Sequence, residues 1–559
     1  MSQRTSHLLA VLAYAVLAAA LSADVLRDPA RTTFPSFSED NFLGFWNLWW
    51  ASESLFQWRD PFFTDLFFHP TGTTLVLTEF TPLFGLLAAP LVRVLGQPEG
   101  AVLAHNLLIV LSFVLTGYAT FLFATWLTAS RAGGFAAGLL MAFCAFRLHH
   151  LEHLNLLSTH WLPLAAWLIG GWLLEGRRAG EEAPPAPSRW RLLWIGLLGF
   201  GLTATSFSVA SMTGLFVASW LILTAILRAG TWRPGAVRRV LLAAGAFALG
   251  ALPLSLAWLA GGESRIAHPT ELVRWSPDLL GFVTPQDSAL LGPLVEAMAA
   301  GFHRPSGEEV YLGWALLVAA ALGMAALRRK GIPLLATALF ALLLSLGPGI
   351  WIAGTHHPYA PNAYDTLLGI APVLQGIRTP NRFVVVALMA LVPLAAAGVG
   401  RLATRRAGRW AIPALAVLAL VELVPDPITA VPAKVPDVFR RIGADSAPGA
   451  LIELPLRDIN DLNRAAFHQL AHRRPIPGGP LIRPTPEARS FELRENLHVR
   501  LSSDRTIPGA VADLRRLDVA FVVWHRRDIE PGTWTAIRNV FSELAELWHE
   551  EPTLLVFRL

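Results

Sequence analysis

Two adjacent carboxylates, Glu39 and Asp40, head a Trp-rich, helix-compatible run, SEDNFLGFWNLWWASES at 38–54, just after the first apolar segment. A carboxylate serves as a general base when it is ionised, positioned and within reach of the proton it removes. At the membrane-facing start of an outer-loop helix, one could deprotonate a sugar hydroxyl beside a lipid-bound donor. The plainer reading is an N-cap, with Ser38 or Asp40 satisfying free N–H groups at the helix start. A second group is basic. Arg378 and Arg382 flank Thr379-Pro380-Asn381, and a guanidinium is a rigid fork of donors suited to phosphate. Snorkelling to lipid headgroups is the alternative for both. A third group, Arg147 to His160, holds His149, His150, Glu152, His153, Asn155 and His160. His149 and His153 stand one helical turn apart, a spacing a metal can use, but no HExxH or comparable ligand set accompanies them. No metal ligand is assigned. His150, His153 and Asn155 are read as polar residues lining a cavity, and as candidates for substrate binding, with His69 and Glu79 as further lining. The sequence names no resident cofactor and leaves a divalent metal open.

The elements that must position these groups are set by composition. The chain of 559 residues is 54% hydrophobic and 15% charged, with a mean hydropathy of +0.48, a polytopic membrane composition. The last 130 residues hold 18 of the 45 Lys/Arg and 17 of the 40 Asp/Glu, which marks a boundary near residue 430 between a membrane body and a water-soluble tail. The basic residues elsewhere sit in short clusters between apolar segments, a topology signal that argues against nucleic acid. A lone cysteine, Cys144, excludes an intramolecular disulfide and a Cys-based zinc site.

A bilayer core needs about 20 apolar residues per helix. Segments 8–26, 101–127, 132–148, 157–174, 191–209, 211–228, 239–260, 311–327, 332–352, 382–400 and 410–424 meet that pattern, which predicts about eleven spans. With the N-terminus in the cytoplasm, Arg131, Arg177/Arg178, Arg233/Arg238/Arg239, Arg328/Arg329/Lys330 and Arg401/Arg405/Arg406 all fall inside, as the positive-inside rule requires. The first span also carries Ala20-Leu21-Ser22, which resembles a signal-peptidase site. The body is predicted over 1–429, with outer loops at 27–100 and 261–310. Residues 40–58 are predicted to lie at the headgroup level, anchored by Trp46, Trp49, Trp50 and Trp58, and Glu308-Glu309 to cap the eighth span. In 430–559, β-like runs at 450–456, 519–524 and 553–559 alternate with helical ones at 458–473 and 531–550. They predict a small extracytoplasmic α/β domain.

Several blocks carry a family resemblance: FFHPTGTTLVLTEFTPLFGLLAAPL (67–91), RLHHLEHLNLLSTHWLPL (147–164), EEVYLGW (308–314), LSLGPGI (344–350), IRTPNRF (377–383) and ELPL…HQLAHRRPIPGG (453–479). With the acidic first loop, they resemble the GT-C superfamily of integral-membrane glycosyltransferases, nearest to bacterial proteins of the family 39-like and YfhO-like kind. The resemblance implies a helical membrane bundle and a polyprenyl-phosphate sugar donor. It also implies a catalytic acid in the first outer loop, which carries over to Asp40 with Glu39 as its neighbour. The order is Glu-Asp here rather than the common Asp-Glu, so both stand as candidate bases. Membrane lipids and an acceptor that is glycan, lipid or protein are the implied partners, at the cell inner membrane. A lipid or polysaccharide transporter or flippase is the main rival, and a non-catalytic assembly factor for surface glycans the third reading. Ion-coupled carriers place ionisable groups near mid-membrane, whereas the centres of these segments carry none.

Overall fold

Apolar segments fold as helices here because a backbone without water must satisfy its own N–H and C=O groups. The computed structural model describes residues 3–36, 39–76, 78, 80–174, 189–227, 232–259, 269–285, 288–303, 309–358, 363–370, 377–456, 458–480, 507–527 and 529–559. The chain divides into two compact units. One comprises Met1–Arg27 and Leu107–Thr429, the other Asp28–Asn106 and Ala430–Leu559.

The first unit is a helical bundle of a multi-pass membrane protein. Among the described residues six helices are long and apolar enough to cross: Arg4–Leu21, Glu99–Thr128 (which begins in the other unit), Arg131–His149, Phe207–Ile226, Ala236–Trp258 and Pro380–Ala403. The other five predicted segments form helices of 13 to 16 residues: Trp161–Leu173, Arg189–Thr203, Trp314–Leu327, Ile332–Ser345 and Gly408–Leu423. At 1.5 Å per residue they reach about 20 to 24 Å, short of a hydrocarbon core of about 30 Å. The shortening has local causes. The segment predicted at 157–174 loses its start because Leu157 and Thr159 turn back to accept hydrogen bonds from Arg147. The one at 191–209 breaks between Thr203 and Phe207. The one at 332–352 ends at Ser345, and its last residues form the hairpin Gly349–Ile352 with Thr355–Pro358.

The helix Val384–Ala403 is the bundle's centre. The 18-residue window through it is 94% buried, against 11% for the Ala236–Trp258 helix, whose flanks are left to lipid. Small residues let neighbours approach it closely: a Cβ at Gly323 would lie 1.8 Å from the Leu394 carbonyl oxygen. Several acids are buried in this unit, Glu422 among them. Glu422 accepts from the backbone N–H groups of Trp314 (2.8 Å) and Ala315 (3.0 Å) and from the Tyr311 hydroxyl (2.8 Å). It therefore caps the Trp314–Leu327 helix from a distant segment. Of the pair predicted to do so, Glu309 bonds the Tyr311 N–H at 2.7 Å instead, and Glu308 lies outside the described residues.

The second unit joins residues 28–106 to the tail, whereas the sequence groups 27–100 with the membrane body. Thr32–Thr33 pairs antiparallel with Val431–Pro432. The tail's sheet runs in the order Ala450–Leu454, Val519–His525, Leu554–Arg558, Glu546–Glu551, with the first two parallel and the rest antiparallel. Three of these strands fall on the predicted β-like runs. The fourth, Glu546–Glu551, occupies the end of what reads as helix, which stops at Leu544. The loop helix Asp40–Phe56 packs on the helices Pro82–Leu95 and Ile459–His472. Its indoles do not anchor it in headgroups. Trp46, Trp49 and Trp50 are 0 to 4% exposed, and only Trp58 is open, at 96%. Trp46 stacks on Phe67 at 4.2 Å and donates its indole N–H to Gln469 Oε1 at 2.6 Å. Buried tryptophan with a satisfied N–H is core material, which a Trp-rich run cannot reveal by itself.

Candidate functional site

Within this second unit the acidic pair meets the tail helix Ile459–His472. That helix forms because Asp458 caps it, accepting from the N–H groups of Asn460 and Asp461, and because Ala465, Ala466, Phe467 and Leu470 supply an apolar face. One stripe of it runs along the loop helix. Asn463 donates to Asp40 Oδ1 at 2.9 Å, and one turn on Phe467 stacks on Phe42 with ring centroids 4.7 Å apart and planes within 5°. The adjacent stripe begins with Arg464, which pairs with Glu39 and approaches Asp461 at 3.8 Å. Glu39 stands at the N-cap position in a left-handed conformation (φ 53°) and makes no capping hydrogen bond from its side chain. Non-glycine residues rarely hold that backbone region without a compensating contact; the Arg464 pair is such a contact. Ser38 lies outside the described residues. The two acids are therefore treated differently. On this helix a guanidinium pairs with Glu39, and an amide donates to Asp40.

The Arg464 stripe continues to His468 and a second acid. Glu453, on the strand Ala450–Leu454, receives the Nδ1 of His468 at 2.8 Å and the Nε2 of His525 at 2.7 Å, both on Oε2. Its other oxygen, Oε1, is buried without a hydrogen-bond partner. Burial pushes the Glu453 carboxyl up, but the two imidazoles pull harder and hold it well below the usual carboxylate range. Phe439 stacks on the His468 ring at 4.2 Å. His468 and His525 border a cavity of about 710 Å³, a size that suits a ligand, together with Phe42 and Phe467. Among the described residues its charged lining is basic: Lys434, Arg526, Arg527 and the Glu39-paired Arg464 against one carboxylate, Glu551. Such a cavity favours an anionic ligand.

His69 belongs to the same unit. Its backbone N–H bonds Ile476 O at 3.0 Å, and Phe68 N–H bonds Gly478 O at 3.0 Å, which ties two of the sequence blocks together. Glu79 lies outside the described residues. In the bundle, the histidine segment is organised by Arg147, fully buried, which donates to Ala142 O, Leu157 O, Thr159 Oγ1 and Ser112 Oγ. His150 and His153 come together with ring centroids 5.7 Å apart. His150 is wholly buried, stacked on Phe146 and bonded through Nδ1 to Phe146 O at 2.6 Å. Asn155 is buried too. Among the described residues the only grouping of three potential metal ligands is Glu453, His468 and His525; the 149–160 segment forms none. Arg378 lies over the Trp275 ring at 5.8 Å, and Arg382 is buried in the turn Pro380–Phe383.

Asn463, Arg464, Glu453, His468 and His525 were not legible as site residues. The signals were a lone carboxylate in the apolar strand ALIELPL and a histidine closing FVVWH, but nothing in the spacing joins positions so far apart.

Comparison with known proteins places the chain by sequence and by fold. The profile of a family described as a domain of unknown function, DUF6311, matches residues 9–424. No curated relative matches. Three solved structures share the fold. The arabinofuranosyltransferase AftD from Mycobacteria is 15% identical with a TM-score of 0.58, over 100% of this chain and 40% of that one. The oligosaccharyltransferase AglB from Archaeoglobus fulgidus, in complex with an inhibitory peptide and a dolichol-phosphate, is 13% identical with a TM-score of 0.50, over 95% and 70%. ArnT from Cupriavidus metallidurans is 12% identical with a TM-score of 0.50, over 100% and 98%. The chain thus spans about two fifths of the arabinofuranosyltransferase it matches. The shared architecture is that of the GT-C glycosyltransferases, as the sequence blocks imply; none of these likenesses bears on the YfhO-like part of that resemblance.

Proposed function

The chain belongs to the DUF6311 family, and we propose that it is a membrane glycosyltransferase. It moves a sugar from a polyprenyl-phosphate donor to an acceptor at the extracytoplasmic face of the inner membrane, with its N-terminus in the cytoplasm and the α/β tail outside. The general base is a carboxylate of the first outer loop, Asp40 in preference to Glu39. The acceptor hydroxyl gives its proton to Asp40 as its oxygen attacks the anomeric carbon. The bond from that carbon to the phosphate oxygen breaks, and polyprenyl phosphate leaves with the electron pair. Arg378 and Arg382 are the proposed partners of the lipid phosphate, whose growing negative charge they would stabilise. The fold likeness to GT-C transferases supports the reaction class, and the dolichol-phosphate in one of them supports a lipid-phosphate donor.

One observation carries the choice of base: Asn463 holds Asp40 at 2.9 Å while Arg464 matches Glu39. A guanidinium partner lowers the proton affinity of Glu39, whereas a neutral amide donor orients Asp40 at a smaller cost in basicity. The test is release of polyprenyl phosphate by full-length protein in liposomes, given a labelled lipid-linked sugar and envelope extract as acceptor. Asp40→Asn should cut release to a small residual rate, and Glu39→Gln should leave much of it. Undiminished release by Asp40→Asn removes this assignment.

A further inference from the structure

The cluster Glu453, His468 and His525 lies outside the acidic pair's chemistry and has no role in the transfer described above. Its three side chains come from different elements: the strand Ala450–Leu454, the helix that follows it, and the last residue of the neighbouring strand Val519–His525. The parallel register sets Glu453 beside Val523, so His525, two residues on, projects to the same side. Their ligand atoms all lie within 4.8 Å of one another. Two imidazole nitrogens converge on one carboxylate oxygen while the other, Oε1, is buried and unbonded. An unsatisfied buried carboxylate oxygen is costly. A cation seated among the three groups would use the oxygen that hydrogen bonding leaves over.

We propose that Glu453, His468 and His525 form a divalent metal site of the zinc class, with its fourth position open to the basic cavity. The donor set is two nitrogens and one carboxylate oxygen, the composition of three-ligand zinc sites that keep one position free. Magnesium and calcium prefer six or more oxygen ligands, so they are the wrong ions for it. Both histidines border the cavity of about 710 Å³, so the free position faces its interior. There Lys434, Arg526 and Arg527 add to the metal's charge, and the fourth ligand is accordingly an anionic oxygen, as of a phosphate. The stacked Phe439 ring fixes the plane of His468, an outer contact of the kind that orients metal-bound imidazoles.

The experiment uses full-length protein in detergent, stripped with chelator, loaded separately with Zn²⁺, Co²⁺ or Mg²⁺ and desalted. The wild type should retain about one Zn²⁺ per chain and no Mg²⁺, and its Co²⁺ form should show the visible absorption of a four-coordinate site. His525→Ala should lower Zn²⁺ retention by about tenfold or more, with the metal-free melting temperature read alongside. His525→Cys should restore Co²⁺ binding and add a thiolate-to-cobalt charge-transfer band, a signature that misfolded protein cannot give. Inorganic phosphate should shift the Co²⁺ spectrum. Equal Zn²⁺ retention by wild type and His525→Ala, or no charge-transfer band in a folded His525→Cys, overturns the site. A spectrum indifferent to phosphate overturns its open position.

Discussion

Replacing Asn463 with Ala separates a positioned base from an incidental one. The side chain is buried and donates to Asp40 Oδ1 at 2.9 Å. A hydrogen bond to a charged group is worth about 1.5 to 3 kcal/mol. If all of it serves to hold Asp40 in its reactive orientation, the loss at 1.36 kcal/mol per factor of ten is about 10- to 150-fold in rate. The assay is the initial rate of polyprenyl phosphate release, normalised to folded protein by thermal melting. Asn463→Asp should fall further, since it sets a second negative charge against Asp40. The decisive comparison is the double variant with Asp40→Asn. Asn463→Ala should add nothing there, because the group it positions no longer accepts a proton. A wild-type rate in Asn463→Ala, or the same proportional fall in the Asp40→Asn background, would refute the idea that this amide acts through the carboxylate.

Two further outcomes concern the tail. Arg474 donates to the main-chain oxygens of Ile442, Asp445, Ala447 and Gly449; Arg474→Ala should destabilise by about 1 to 3 kcal/mol, read as a lower melting temperature and faster amide exchange over 437–449. Arg474→Lys should recover only part of this, because an ammonium lacks the fork. Burial lowers His472 from its ordinary value to about 3, so the folded state resists protonating it. Its contribution to stability is complete above about pH 6.5 and is lost as pH falls toward 3, at about 1.4 kcal/mol per pH unit. Melting temperature followed from pH 7 to pH 5 should fall in the wild type and fall less in His472→Gln; identical slopes would count against the assignment.

How much of this was legible follows from the range of each interaction. The apolar segments could be read because hydropathy is local, and all eleven are helical over most of their length. Their ends could not, because the Arg147 hydrogen bonds and the hairpin at 349–358 are tertiary events. Strands such as Val519–His525 were legible as short apolar runs rich in β-branched and aromatic residues. Glu546–Glu551 was missed because ELWHEE carries no such pattern; its pairing with Leu554–Arg558 makes it a strand. Trp46 and Trp50 misled for a different reason. Indoles suit a headgroup layer and a protein core equally, and only the partners, Phe67 and Gln469, decide. The acidic pair stood out by composition alone, yet what distinguishes its two members, Asn463 and Arg464, lies 423 and 425 residues away.

The joining of residues 28–106 to 430–559 in one compact unit constrains the path between them. A unit folded on one side of a bilayer requires the intervening chain to leave and return, so it traverses the membrane an even number of times. Five of the long apolar helices lie in that interval, and five is odd. If all five cross, an odd number of the shorter described helices would have to cross with them, as helices of 13 to 16 residues can where the bilayer thins to meet them.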